Sequence, residues 1–187
     1  MDIIRTSNKI LILSHFGPDP DAYASMLFTY GVLKENFPEK NIEMFNTGPL
    51  SNEYSYLRFY SEIKTGECFD FLTSFEPDLL IILDSPSIER ISYNNVQEIR
   101  EYIKVKNIKS IWIDHHLIEE KDEKTLLVNE KRSSAVETAY IYLFNENKLS
   151  LYKDVENTVL LGITSDTSRF LYKNDFHRDT FSIVSNM

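Results

Sequence analysis

The sequence predicts an α/β domain, a parallel-sheet three-layer sandwich with helices on both faces. Four short runs, residues 9–14, 41–46, 79–84 and 109–114, are apolar without alternation, the pattern of strands buried on both faces. Longer segments between them repeat apolar residues at helical spacing, so strand and helix alternate as β-α units.

The first run, Lys-Ile-Leu-Ile-Leu-Ser, leads through Pro18 and Pro20 to a helix over 21–36, where Met26, Leu27, Tyr30, Leu33 and then Phe37 share a face. A second strand follows at 41–46. The third, 79–84, precedes a helix over 94–106 that turns Val96, Ile99, Tyr102 and Ile103 inward. The fourth is 109–114. A short fifth strand at 126–128 precedes a helix opening at Ser133 or Ser134, where Ser134-x-x-Glu137 is a capping-box pattern. A helix over 154–163, a short strand over 169–172 and a terminal helix over 177–187 complete the series. That last helix stops without a cap or breaker. The expectation is one domain over 1–187, its end the stub of a linker to something longer.

Composition narrows the function. With 187 residues, 42% hydrophobic and 26% charged, the chain can bury a core. Its 20 Lys and Arg against 29 Asp and Glu give a net charge of -9, so its field repels a long phosphate polymer and tight binding by charge alone is excluded. Cys68 is the single cysteine; it rules out an internal disulfide, fits a reducing compartment and reads as a small buried residue. No run of ~18 apolar residues occurs, and the first strand lacks the flanks of a signal peptide. The expected compartment is the cytoplasm, with no membrane partner; a homodimer is one assembly the sequence allows.

Polar groups gather at the C-terminal ends of the strands, where open α/β sheets bind ligands. After the first strand come His15, Asp19 and Asp21 within Ser-His-Phe-Gly-Pro-Asp-Pro-Asp. Two prolines should hold this loop extended, so that Asp19 and Asp21 project to one side, a repulsive arrangement unless a cation intervenes. Asp84 ends the third strand, Asp114-His115-His116 ends the fourth, and Asp166 closes Gly-Ile-Thr-Ser-Asp. Each motif alone has an ordinary explanation: Asp-x-Asp beside prolines is a common turn, and a His-His pair after a strand is often a satisfied polar pair. His177 reads as a surface residue. Four clusters at equivalent positions are harder to reconcile with chance. Carboxylate and imidazole donors without thiolate favour Mn²⁺, with Mg²⁺, Co²⁺ or Fe²⁺ as competitors, over a structural zinc. There are more donors than one ion needs, so a two-metal centre with a bridging carboxylate is the economical arrangement, of the kind that serves displacement at phosphorus.

These four motifs, in this order and over nearly the whole chain, resemble the DHH phosphoesterase family, which is named for the triplet seen here as Asp114-His115-His116. The nearest resemblance is to the bacterial oligoribonucleases that also dephosphorylate adenosine 3′,5′-bisphosphate. The family further includes RecJ-type exonucleases, cyclic-dinucleotide phosphodiesterases, exopolyphosphatases and manganese inorganic pyrophosphatases. The resemblance implies two divalent ions, one on His15, Asp19 and Asp84, the other on Asp21, Asp84, His115 and Asp166. It implies His116 beside the scissile phosphate, Asp114 orienting the pair, and Arg90 and Arg169 as phosphate-contacting residues. The implied reaction is hydrolysis of short oligonucleotides or small nucleotide phosphates by water activated between the ions. Two departures stand out: Pro20 replaces the usual glycine between the aspartates, and the family's glycine-rich, histidine-containing C-terminal motif lies outside these residues. The competing expectations are an inorganic pyrophosphatase or exopolyphosphatase, a receiver-like module with Asp84 phosphorylated and Lys131 as its lysine, and a silent phosphate-binding module.

Overall fold

A computed structural model describes residues 1–118, 125–171 and 178–187. Strands β1 (Lys9–Ser14), β2 (Asn41–Thr47), β3 (Ile63–Gly66), β4 (Leu79–Leu83), β5 (Lys109–Asp114) and β6 (Thr125–Asn129) form one sheet in the order β3-β2-β1-β4-β5-β6. Every pairing is parallel. The helices are α1 (Asp2–Thr6), α2 (Pro20–Asn36), α3 (Cys68–Phe75), α4 (Ile88–Ile91), α5 (Val96–Val105), α6 (Ala135–Tyr140), α7 (Glu156–Asp166) and α8 (Arg178–Ser185).

The absence of alternation in the strands has its cause in two separate cores. Ile10, Ile12, Ile42, Met44, Ile81 and Ile111 pack with α2, α6 and α7 on one face. Their neighbours Leu11, Leu13, Phe45, Leu80, Ile82 and Trp112 pack with α3, α4 and α5 on the other. Successive strand residues point to opposite faces, so both parities must be apolar. Burying each such aliphatic side chain contributes on the order of 1.5–3 kcal/mol relative to exposure.

The chain runs outward from β1 to β2 and β3, then returns to β4 beside β1 and runs outward again to β6. The strand order therefore reverses between β1 and β4, and in open sheets the crevice at such a reversal is the ligand site. His15 follows β1 and Asp84 follows β4, so these two residues flank that crevice.

Three expectations need correction. The segment between Pro18 and Asp21 is not extended, because Pro20 opens α2 and Asp19 caps it, its Oδ1 accepting from the Ala22 amide at 3.0 Å. Proline at the first helical position has its φ already fixed near the helical value, and an N-cap aspartate satisfies a free amide; Asp21 thus sits inside the helix and diverges from Asp19. Residues 169–171 form no strand. Their amides turn back on α7 instead, Arg169 donating to the Thr164 carbonyl at 2.8 Å and Phe170 to Thr167 Oγ1 at 3.2 Å, with Ser168, Arg169 and Phe170 all at positive φ. Helix-end carbonyls satisfied this way leave no ladder to form; Tyr172 lies outside the described residues, as does His177. Finally, the predicted series lacks β3 and the helices α1, α3 and α4.

Cys68 is buried at the start of α3, and burial pushes its thiol up to about 12 despite a hydrogen bond with Thr47. A thiol reagent at about pH 8 should therefore leave the native chain unlabelled and label the denatured chain stoichiometrically. Fast labelling of the native protein would show that α3 does not seal this position.

Candidate metal centre

Each motif is delivered by a strand end or a helix end. His15 is buried just after β1, where its carbonyl accepts from Asn46 Nδ2 at 2.9 Å. Its Nδ1 lies 2.9 Å from the Phe16 carbonyl. A carbonyl can only accept, so Nδ1 carries the proton and the neutral ring turns its Nε2 lone pair inward. There Nε2 lies 3.8 Å from Asp19 Oδ1 and 3.7 Å from Asp84 Oδ2. Three acceptors facing one another call for a cation.

Asp84 follows β4 with φ 48°, a left-handed conformation that is uncommon outside glycine but tolerated by Asp and Asn. This turn points the carboxylate back over the sheet end, where Oδ1 lies 3.7 Å from His115 Nε2 and 3.6 Å from His116 Nδ1. Asp114, at the end of β5, accepts on Oδ1 from the amides of His115 at 2.7 Å and His116 at 3.0 Å, and meets His116 Nδ1 at 3.0 Å. It thereby fixes the local turn and holds the His116 ring with Nε2 directed away from the protein, on a side chain 57% exposed. Asn129, from β6, donates to the Asp114 and His116 carbonyls.

Asp21 is fully buried in α2. Its oxygens accept from the first two amides of α6, Ala135 at 2.5 Å and Val136 at 3.1 Å, and the α6 N-terminus is a natural seat for negative charge. Ser134 caps that helix through the Glu137 amide as the capping-box pattern anticipates, but Glu137 returns its carboxylate to the Ser133 amide rather than to Ser134. Asp166 closes α7 and reaches His115 Nε2 at 3.1 Å.

Three groups of donor atoms result, each within 4.8 Å of its own members: His15, Asp19 and Asp84; Asp21, His115 and Asp166; and Asp84, Asp114, His115 and His116. Asp19 and Asp21 thus enter different groups, and Asp84 belongs to two. Arg90 and Arg169 are exposed. The Arg90 carbonyl accepts from the Phe16 amide at 2.6 Å, which ties α4 to the rim, while Arg169 stands three residues beyond Asp166 in the left-handed turn after α7. Lys131 is exposed in the segment after β6, and the side chains facing Asp84 are imidazoles rather than a lysine.

The electrostatics agree with the donor chemistry. Burial, reinforced by the charges of Asp19 and Asp114, pushes Asp84 up to about 7, against the pull of His115 and His15. Burial and the charges of Asp84 and Asp166 raise Asp21 well above the usual carboxylate range, even though two amides oppose them. Burial depresses His15 and His115, yet their carboxylate neighbours win and both rise. Burial lifts Asp114, but its hydrogen bonds with His116 prevail and lower it; the same contact raises His116. Asp84 Oδ1, Asp114 Oδ2 and His115 Nε2 are buried without an aligned hydrogen-bond partner among the described residues. Orphaned acceptors of this kind demand a counterpart, and oxygen and nitrogen donors in this arrangement fit divalent cations.

Several supporting residues escape sequence inspection. Gly162 in α7 is one: a Cβ there would lie 2.5 Å from Asp21 Oδ1, 2.6 Å from Val136 Cγ1 and 2.9 Å from Ala24 Cβ. Only a hydrogen at this point lets α7 approach α2 and α6 closely enough to enclose Asp21. Asn46, Asn129 and the α6 amides are the others.

Fold and site together define a parallel α/β domain that gathers carboxylates and imidazoles over the sheet's reversal point, as divalent-cation proteins of this architecture do. The DHH family, N-terminal domain, matches residues 9–163, and the chain belongs to that family. The bifunctional oligoribonuclease and PAP phosphatase NrnA of Bacillus subtilis (strain 168) is 31% identical over 178 residues, 92% of this chain and 51% of that protein. The protein described as a probable bifunctional oligoribonuclease and PAP phosphatase NrnA in Streptococcus mutans is 28% identical, over 98% of this chain and 53% of its own length. This chain spans about half the length of the curated relatives it matches. An exopolyphosphatase-related protein from Bacteroides fragilis shares the fold with a TM-score of 0.75 and 22% identity, over 98% of this chain and 53% of that one. Among the described residues no helix is long and apolar enough to cross a membrane.

Proposed function

We propose that this chain is the catalytic domain of a phosphoesterase that hydrolyses short oligonucleotides or small nucleotide phosphates with two divalent ions, manganese foremost. The observation that carries this is Asp84, buried and shared between two donor groups with one carboxylate oxygen lacking a hydrogen-bond partner. In the proposal one ion takes His15, Asp19 and Asp84, and the other takes Asp21, Asp84, His115 and Asp166. When bound, such ions supply Lewis acidity that activates water and offsets charge on the phosphoryl group.

The chain's own residues do the rest. Asp114 holds His116 through Nδ1, so Nε2 is presented outward to hydrogen-bond a phosphate oxygen or give a proton to the leaving group. Asp21 is anchored before any substrate arrives, because two helix amides fix its orientation. Arg90 and Arg169, exposed at the rim, serve as anion contacts for the substrate phosphates. The negative surface disfavours long polymers, which suits a substrate of a few nucleotides. A second, substrate-binding domain following α8 fits relatives of twice this length. A single thiol sealed in the interior suits the cytoplasm as compartment.

The test is an assay of the full chain with Mn²⁺ on dinucleotides, adenosine 3′,5′-bisphosphate, pyrophosphate and polyphosphate. Mononucleotide and phosphate release from the first two is the expected result. Turnover of pyrophosphate or polyphosphate alone would overturn the substrate assignment.

A further inference from the structure

A second concavity opens beside His15, outside the carboxylate cluster. It has a volume of about 330 Å³ and lies at the C-terminal ends of β2 and β3, with Phe16, Gly48, Gly66, Glu67, Tyr93 and Asn94 on its walls. It is continuous with the metal centre through the backbone, because Phe16 directly follows His15 and the residue before Thr47 on its wall, Asn46, holds the His15 carbonyl.

The chemistry of the walls selects an occupant. Phe16 and Tyr93 meet at a 50° tilt with ring centroids 3.6 Å apart, and Tyr93 remains 68% exposed. Gly48, at φ 89°, makes room for this, since a Cβ would lie 2.9 Å from Phe16 Cε2. A Cβ on Gly66 would meet nothing closer than Phe45 at 3.9 Å, so the backbone there lies open to the cavity. The polar edge is a carboxylate: Asn94 Nδ2 donates to Glu67 Oε2 at 3.3 Å, which orients the side chain and leaves its other oxygen to accept. Among the described residues no lysine, arginine or histidine lines the cavity, which disfavours phosphate as its occupant. Aromatic faces with an acceptor edge suit a flat, uncharged ring carrying N–H donors. The volume is at the lower end for ligand sites, right for one base.

We propose that this cavity receives a nucleobase of the phosphate substrate, with the base against Phe16 and Tyr93 and its donor edge on Glu67. Guanine is the best fit, because its N1–H and exocyclic amine form a donor edge that the remaining Glu67 oxygen, with two lone pairs, can accept. The subsite rests on the phosphoesterase reading and extends it from the phosphate to the base.

Calorimetric titration of the full chain with Mn²⁺, then with GMP, UMP or ribose 5-phosphate, tests it. GMP should bind at least about 5-fold more tightly than ribose 5-phosphate, the lower range for a base stacked on an aromatic side chain. Tyr93→Ala should shrink that gap while ribose 5-phosphate binding stays unchanged, and Glu67→Gln should erase the preference for GMP over UMP. Both side chains are at the surface, and circular dichroism of the variants verifies their fold. If ions and ribose 5-phosphate bind but GMP binds no better, or the gap survives in Tyr93→Ala, the subsite is wrong and the phosphoesterase reading stands. If no divalent ion binds, the reading beneath it fails as well.

Discussion

Asp84→Asn should abolish binding of both divalent ions and lower phosphoester hydrolysis by more than about 100-fold. Even residues that only orient a metal ligand typically cost about 10–100-fold when removed, and among the described residues Asp84 is the carboxylate that belongs to two donor groups. The substitution keeps the shape of the side chain and a residue type that tolerates the left-handed backbone at this position, so the fold should persist. Elemental analysis of the purified variant gives the ion count, and a single retained ion would refute the bridging role. A second readout separates chemistry from folding. Asp84 is raised to about 7, so the native state holds its proton where the unfolded chain, near the usual value of about 4, has released it. The metal-free protein should therefore lose stability as pH rises from about 4 to about 7, a loss to which raised Asp21 adds, and the raised histidines His15, His115 and His116 continue it above their ordinary value of about 6.5. Asp84→Asn should flatten that slope in thermal melts and leave the metal-free protein no less stable at neutral pH.

Gly162→Ala should destabilise the chain by about 1–3 kcal/mol, the ordinary range for overpacking a core. The sign is not obvious, because alanine is favoured over glycine in a helix interior by roughly 0.5–1 kcal/mol. Here the new methyl would meet Asp21, Val136 and Ala24 at once, all at 2.9 Å or less, and all three sit in packed helices that leave it nowhere to go. Something must shift, and Asp21 is the member that belongs to the centre. Chemical denaturation together with a Mn²⁺ titration reads both effects: lower stability accompanied by weaker binding at the ion that depends on Asp21. Increased stability would mean that the gain in helix propensity outweighs the clash.

The central strands and the site were legible for the same reason. Leu79–Leu83 is buried at every position, so its sequence contains nothing but apolar residues, and the first polar residue after it, Asp84, marks the strand end. The edge strand β3 was illegible because Ile63 is its only buried residue in Ile-Lys-Thr-Gly. Helix α3 leaves only a short signal in the sequence, Cys68 and Leu72 one turn apart and both buried. The carboxylates and imidazoles that group together stand at the strand and helix ends where the sequence places them, but Asp19 and Asp21 do not project to one side, because Pro20 begins a helix rather than extending the loop. What holds Asp21 could not be inferred at all, since the α6 amides lie 114 and 115 residues away in sequence. Residues 169–171 form no strand because their amides close the end of α7, a choice that three residues of sequence do not reveal.

The centre draws on residues from His15, just after the first strand, to Asp166, at the end of α7. During synthesis, then, the nascent polypeptide holds an incomplete set of donors until almost the whole domain has left the ribosome, and free cations find no finished cage in any earlier intermediate. Once both halves of the sheet have docked, ion capture draws the folding equilibrium toward completion by mass action. The supply of divalent cation would on this basis set the steady-state amount of folded protein.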